Sequence, residues 1–126
     1  MSLRAYFETA KGFGVLATSN AEGAVDVAVY ARPHVVDEET VAFIMADRLS
    51  HKNLQSNPHA AYLFREGSAG YVGKRLHLTK VKEETDSEKI QELRRRKTPI
   101  ACEPGEGEVR YLVTFRVDRV RPLVGD

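Results

Sequence analysis

The chain has no tryptophan, a single cysteine and no long apolar run. With one cysteine it can form neither an internal disulfide nor a cysteine-rich metal site. Cys102 stands beside Glu103, whereas a reactive thiolate needs a positive neighbourhood, so we expect no catalytic role for it. No stretch approaches the about 20 apolar residues that span a bilayer, and residues 1–12 lack the apolar core of a signal peptide. These absences predict a cytoplasmic protein without membrane contact.

An excess of charge of one sign is also missing. The 19 lysines and arginines nearly balance the 18 acidic residues, which gives a net charge of +1 and no electrostatic reason to expect a nucleic-acid partner. The four histidines show no metal-ligand spacing, so no metal site is predicted. The length of 126 residues and the 42% hydrophobic content suit one globular domain over 1–126.

Short segments with a period of two dominate the pattern, as expected for strands. The segment 24–31, for example, alternates valines with Asp26, Ala28 and Tyr30. Few helical segments intervene between the strands, which favours a closed antiparallel barrel over a βαβ sheet. A slip of phase at Asp118–Arg119 predicts a bulge or a corner in the last strand. The predicted strands are 13–19, 24–31, 34–36, 41–45, 59–66, 70–84 and 109–124, and the predicted helices are 2–12, 50–57 and 85–97.

The segment "ADRLSHKNLQSNP" raises a question about charge at the start of a helix. Ser50 is a typical N-cap residue, and Leu49 and Leu54 stand at the positions of a hydrophobic staple. This register puts His51 and Lys52 in the first turn, where a cation is unfavourable by about 0.3–1 kcal/mol. A bound anion would reverse that sign. The alternative is a surface helix whose lysine simply extends into water.

The order of several short motifs within 14–64 resembles the FMN-binding split-barrel family of pyridoxamine 5′-phosphate oxidase-like proteins. That family has a G-x-L-A-T first strand, a turn that ends in glycine, and a later S-x-K segment followed by N-L and N-P. The matching residues are Gly14, Leu16, Ala17, Thr18, Gly23, Ser50, Lys52, Asn53, Leu54, Asn57 and Pro58. The resemblance implies a mainly β fold, a Greek-key split barrel of six to seven antiparallel strands with short helices.

The resemblance also implies a cofactor site and a partner. It assigns the FMN phosphate to Ser50, His51, Lys52 and Asn53, and the flavin ring to the strand that carries Val29, Tyr30, Ala31 and Arg32. Ala46 and Asp47 would line the same groove. Members of this family are usually homodimers with flavin at the subunit interface, so we expect a second copy as partner.

The activity is less sharply implied. Pyridoxamine 5′-phosphate oxidase carries a C-terminal extension with arginine and histidine for its substrate phosphate, and the present sequence shows no counterpart, so we do not expect that substrate. The first hypothesis is an FMN-dependent oxidoreductase with an unknown small-molecule substrate or electron donor. The alternatives are a non-enzymatic electron carrier or redox sensor, and a haem-binding relative in which a histidine ligates iron.

Overall fold

A computed structural model describes residues 2–67, 69–85, 88, 90, 92 and 109–126. Most of the predicted helix over 85–97, the loop 98–108 and Cys102 lie outside these residues. Within the described part, no helix is long and apolar enough to cross a bilayer. The elements there are α1 (Leu3–Thr9), β1 (Gly12–Ser19), β2 (Val25–Val29), β3 (His34–Asp37), β4 (Thr40–Ala46), α2 (Leu49–Ser56), β5 (His59–Glu66), β6 (Gly73–Glu84) and β7 (Arg110–Pro122).

The strands form one antiparallel sheet in the order β2-β1-β5-β6-β7-β4-β3. The first two strands, β1 and β2, form a hairpin, with Val15 opposite Val29 and Ser19 opposite Val25. Two strands separate β4 from β5 in the sheet, yet the rings of Phe43 on β4 and Tyr62 on β5 lie 5.0 Å apart. The sheet therefore curls around a shared core, as a split barrel does.

Aromatic side chains fill the core, and α1 closes one side of it. Phe7 of α1 packs edge-on against Phe64 at 5.5 Å, and its neighbour Tyr6 is also buried. Ser2 is the N-cap of α1, because the Ala5 N–H donates to Ser2 Oγ at 3.2 Å. The predicted end of α1 at Gly12 is wrong: the helix ends at Thr9, and Gly12 begins β1.

The phase slip in the last strand is a bulge, one of the two predicted alternatives. His77 pairs with Arg119 and Leu78 with Val117, so Asp118 is the extra residue and stands opposite no residue of β6 in the strand register. One extra residue of this kind increases the local twist of a strand. The bulge therefore helps the long strands β6 and β7 to curve around the core.

Candidate functional site

The start of α2 differs from the sequence prediction. The N-cap is Arg48, which makes no side-chain capping bond, and the first helical bond runs from Lys52 N–H to the Arg48 carbonyl at 2.9 Å. Ser50 as N-cap is therefore wrong, and so is the staple, because Leu49 is 51% exposed. The helix begins at Leu49, and in this register the side chains of Ser50 and His51 are buried against other elements rather than placed at the helix start.

One face of α2 is tied to the first hairpin. Asn53 donates from Nδ2 to Thr18 Oγ1 at 3.1 Å in a buried contact. At the end of the helix, Ser56 Oγ accepts from the Ala21 N–H at 3.2 Å. Two motif residues, Thr18 and Asn53, thus bond to each other and hold α2 against β1.

A second face of α2 carries a buried histidine between two carboxylates. His51 Nδ1 lies 3.3 Å from Asp47 Oδ1, and Nε2 lies 3.0 Å from Glu83 Oε2 on β6. The imidazole stacks on the ring of Tyr111 at 3.8 Å and 12°. Glu83 also accepts from Lys80 Nζ at 2.6 Å and from Gln55 Nε2 at 2.9 Å. This network joins α2 to β6 and β7.

An open cavity of about 630 Å³ lies over this network, and we call it the α2 cavity. It brings together three of the predicted site residues, Asp47, His51 and Lys52, and Ala46 is buried directly before it. Sequence reasoning missed Glu83 and Tyr111, which are far from α2 along the chain and carry no local motif. The lining residues are Asp47, Arg48, Leu49, His51, Lys52, Gln55, Glu83 and Tyr111.

The segment predicted to hold the flavin ring is not part of the α2 cavity lining. β2 ends at Val29, two residues before the predicted end, so Ala31 lies beyond the strand. Tyr30 remains bonded to β1 through its N–H and the Gly14 carbonyl, at 3.1 Å. The Arg32 side chain extends to the end of α1, where its Nη1 donates to the carbonyls of Phe7 and Ala10. Its guanidinium satisfies helix carbonyls that have no intrahelical partner.

The carboxylate of Glu83 makes stability depend on pH. Burial alone would raise its pKa, but hydrogen bonds from Lys80, Gln55 and His51 outweigh burial and lower the pKa from 4.5 to about 2. The stabilisation is fully present above the unfolded value and is lost as the pH falls towards the folded one. We expect Glu83→Gln to lower the free energy of unfolding at neutral pH and to flatten its decrease between those two pKa values.

Urea unfolding at a series of acidic pH values measures this effect. Glu22→Gln is the matched control, because Glu22 is exposed in the turn between β1 and β2. Identical pH profiles for wild type and Glu83→Gln would contradict the expected linkage.

Comparison with known proteins identifies the fold. No family model and no curated protein matches the sequence. An FMN-binding protein from Syntrophomonas wolfei superposes with a TM-score of 0.76 over 99% of this chain and 86% of that one, at 14% identity. A candidate pyridoxamine 5′-phosphate oxidase from Lactobacillus delbrueckii gives 0.68 over 96% and 92%, at 14% identity. An F420 reductase gives 0.67 over 87% and 89%, at 19% identity. The chain therefore has the pyridoxamine 5′-phosphate oxidase-like FMN-binding split-barrel fold.

Proposed function

We propose that this protein binds FMN and acts as a flavin-dependent oxidoreductase on a small-molecule substrate. The observation that carries the proposal is that Asp47, His51 and Lys52, three residues of the predicted site, line one cavity. Its volume of about 630 Å³ falls in the range of small-molecule sites, about 300–1,000 Å³. The fold supports the proposal, since proteins that superpose on this chain include an FMN-binding protein and a reductase.

The residues of the α2 cavity suit the phosphate end of the cofactor. Lys52 is exposed at the cavity, and an ammonium forms a charge-assisted bond with a phosphate. Ser50 lies in the same first helical turn, where the N-cap residue Arg48 makes no side-chain capping bond. Backbone N–H groups at a helix start suit an anion. Asn53 and His51 are bonded to Thr18 and to the carboxylates, so their role is to position the helix.

The flavin ring would lie along 28–32, where Val29, Tyr30 and Ala31 are half-buried. Backbone groups of this segment and the groove beside Ala46 and Asp47 would bind and orient it. When bound, FMN supplies the hydride or electron transfer, while the protein holds and tunes it. The haem alternative is not favoured at the α2 cavity, since both ring nitrogens of His51, the histidine that lines it, contact carboxylates.

Titration with FMN tests the proposal. The purified protein should bind FMN with quenching of flavin fluorescence, and it should bind riboflavin, which lacks the phosphate, more weakly. Absence of FMN binding would overturn the proposed function. Steady oxidation of a nicotinamide donor by the FMN complex would support an enzyme, and binding without turnover would support the carrier or sensor.

A second copy of the chain is the proposed partner, through the outer face of β2, β1 and β5. The register places four exposed apolar side chains on this one face: Val25, Val27, Phe13 and Leu63. They are 80%, 67%, 46% and 39% exposed, respectively. Contiguous exposed apolar patches of this kind mark protein interfaces. We call these four residues the outer patch.

Val27→Lys should convert the proposed dimer into a monomer, because it places a charge within the outer patch. Light scattering after size exclusion measures the mass, which should fall from twice the chain mass of 14.1 kDa to that mass. Val36→Lys, at a 53% exposed position on the other edge strand, is the matched control and should stay dimeric. A monomeric wild type would contradict the proposed dimer.

A further inference from the structure

The α2 cavity presents a problem of charge for any anion. It contains Lys52, but also the carboxylates of Asp47 and Glu83. An anion close to two carboxylates is repelled unless nearby cations neutralise them. The binding of a phosphate-bearing ligand here therefore depends on how these two carboxylates are paired.

His51 is the only described residue whose side chain contacts both carboxylates. A carboxylate only accepts hydrogen bonds, so both contacts are satisfied together only when Nδ1 and Nε2 each carry a proton, as in the imidazolium. Gln55 does not compete for this role. Gln55 Nε2 also lies 3.1 Å from His51 Nε2. Its two N–H groups are satisfied by Glu83 Oε1 and the His51 carbonyl, at 2.9 and 3.0 Å, which leaves His51 Nε2 to donate to Glu83.

The charged groups that face His51 then balance within the network. Asp47 and Glu83 supply two negative charges, and protonated His51 and Lys80, which is 2.6 Å from Glu83, supply two positive ones. Tyr111 contributes a neutral stacking surface. Lys52 remains at the cavity as a positive group. If His51 loses its proton, the network gains one uncompensated negative charge and one of the two contacts loses its donor.

We infer that the protonation of His51 gates anion binding in the α2 cavity, with a phosphate-bearing ligand held tightly when His51 is an imidazolium and weakly when it is neutral. The inference rests on the proposed function for the identity of the ligand. The gate itself requires only an anion. Because the gate depends on a proton, anion affinity should depend on pH.

Sulfate is the first probe, because its charge is constant over this range. Sulfate affinity is read from the NMR shifts of the backbone amides of residues 49–52 over a pH series from about 5 to 8, the interval in which imidazoles in general change charge. We expect wild-type affinity to fall by about tenfold as the pH rises, as one charge changes near the ligand. His51→Gln should bind weakly at every pH.

Asp47→Asn is the second variant, and it should fold normally because the Asp47 side chain is 67% exposed. Removal of this carboxylate should restore tight sulfate binding at the alkaline end. The gate is overturned if sulfate does not bind at any pH, if His51→Gln retains the wild-type pH profile, or if Asp47→Asn binds no better than wild type at high pH.

The same titrations with FMN and riboflavin separate the gate from the proposed function. We expect the FMN affinity of wild type to fall with pH relative to that of His51→Gln, and riboflavin affinity to be independent of pH. Proton-gated sulfate binding without FMN binding would leave the gate and remove the proposed function. FMN binding with the same pH profile in wild type and in His51→Gln would support the proposed function and overturn the gate.

Discussion

Lys52→Glu will weaken FMN binding by about 10-fold to 150-fold, the equivalent of the about 1.5–3 kcal/mol of a hydrogen bond to a charged group. The physical reason is the position of Lys52, which is exposed at the α2 cavity and lies one residue from buried His51. Substitution removes the cation that attracts the phosphate and puts a third carboxylate beside Asp47 and Glu83. The dissociation constant follows from quenching of flavin fluorescence.

Two controls make this result specific for the phosphate. Lys11→Glu causes the same change of net charge at an exposed loop position between α1 and β1, and it should leave FMN affinity unchanged. Riboflavin, which has no phosphate, should bind Lys52→Glu and wild type equally. Unchanged FMN affinity in Lys52→Glu would mean that the phosphate binds elsewhere in the molecule.

Most of the strand framework could be predicted from the sequence, because its signals are local. Alternation with a period of two depends on which side chains face the core. The strand predicted over 59–66 is observed with the same bounds, as β5. Even the bulge at Asp118 was predictable, since an extra residue shifts the alternation of everything that follows it. Pairing between distant strands had no such local signal.

Only those features of the candidate site that depend on residues close in sequence could be predicted. Three of the residues predicted for the site, Asp47, His51 and Lys52, line one cavity, and their role in cofactor binding stays a prediction. The sequence also made Ser50 a plausible N-cap, and this was wrong because His51 has partners on other elements, Glu83 on β6 and Tyr111 on β7. A tertiary network of buried polar groups outweighs a capping bond of about 1 kcal/mol. Local rules could not show that network.

The second large effect is a loss of stability expected on substitution of Gly14, which lies beside the segment proposed to hold the flavin ring. A β-carbon added to Gly14 would lie 1.9 Å from the Tyr62 hydroxyl oxygen and 2.6 Å from the Tyr30 carbonyl oxygen. Tyr62 is fully buried and donates that hydroxyl to the same Tyr30 carbonyl at 3.0 Å. We expect Gly14→Ala to lower the free energy of unfolding by about 2–5 kcal/mol, through overpacking and a broken buried hydrogen bond.

A double-mutant cycle in urea unfolding identifies the cause, because Tyr62→Phe removes the hydroxyl that the new β-carbon would meet. Gly14→Ala should therefore cost less in the Tyr62→Phe background than in wild type. Equal costs would contradict the clash with the hydroxyl.

The contact of Gly14 with Tyr30 also connects Gly14 to the proposed flavin site. Since Gly14 bonds to Tyr30 within 28–32, Gly14→Ala should weaken riboflavin and FMN binding alike, whereas Lys52→Glu should weaken only FMN binding. The two substitutions thereby distinguish the ring end of the proposed site from its phosphate end.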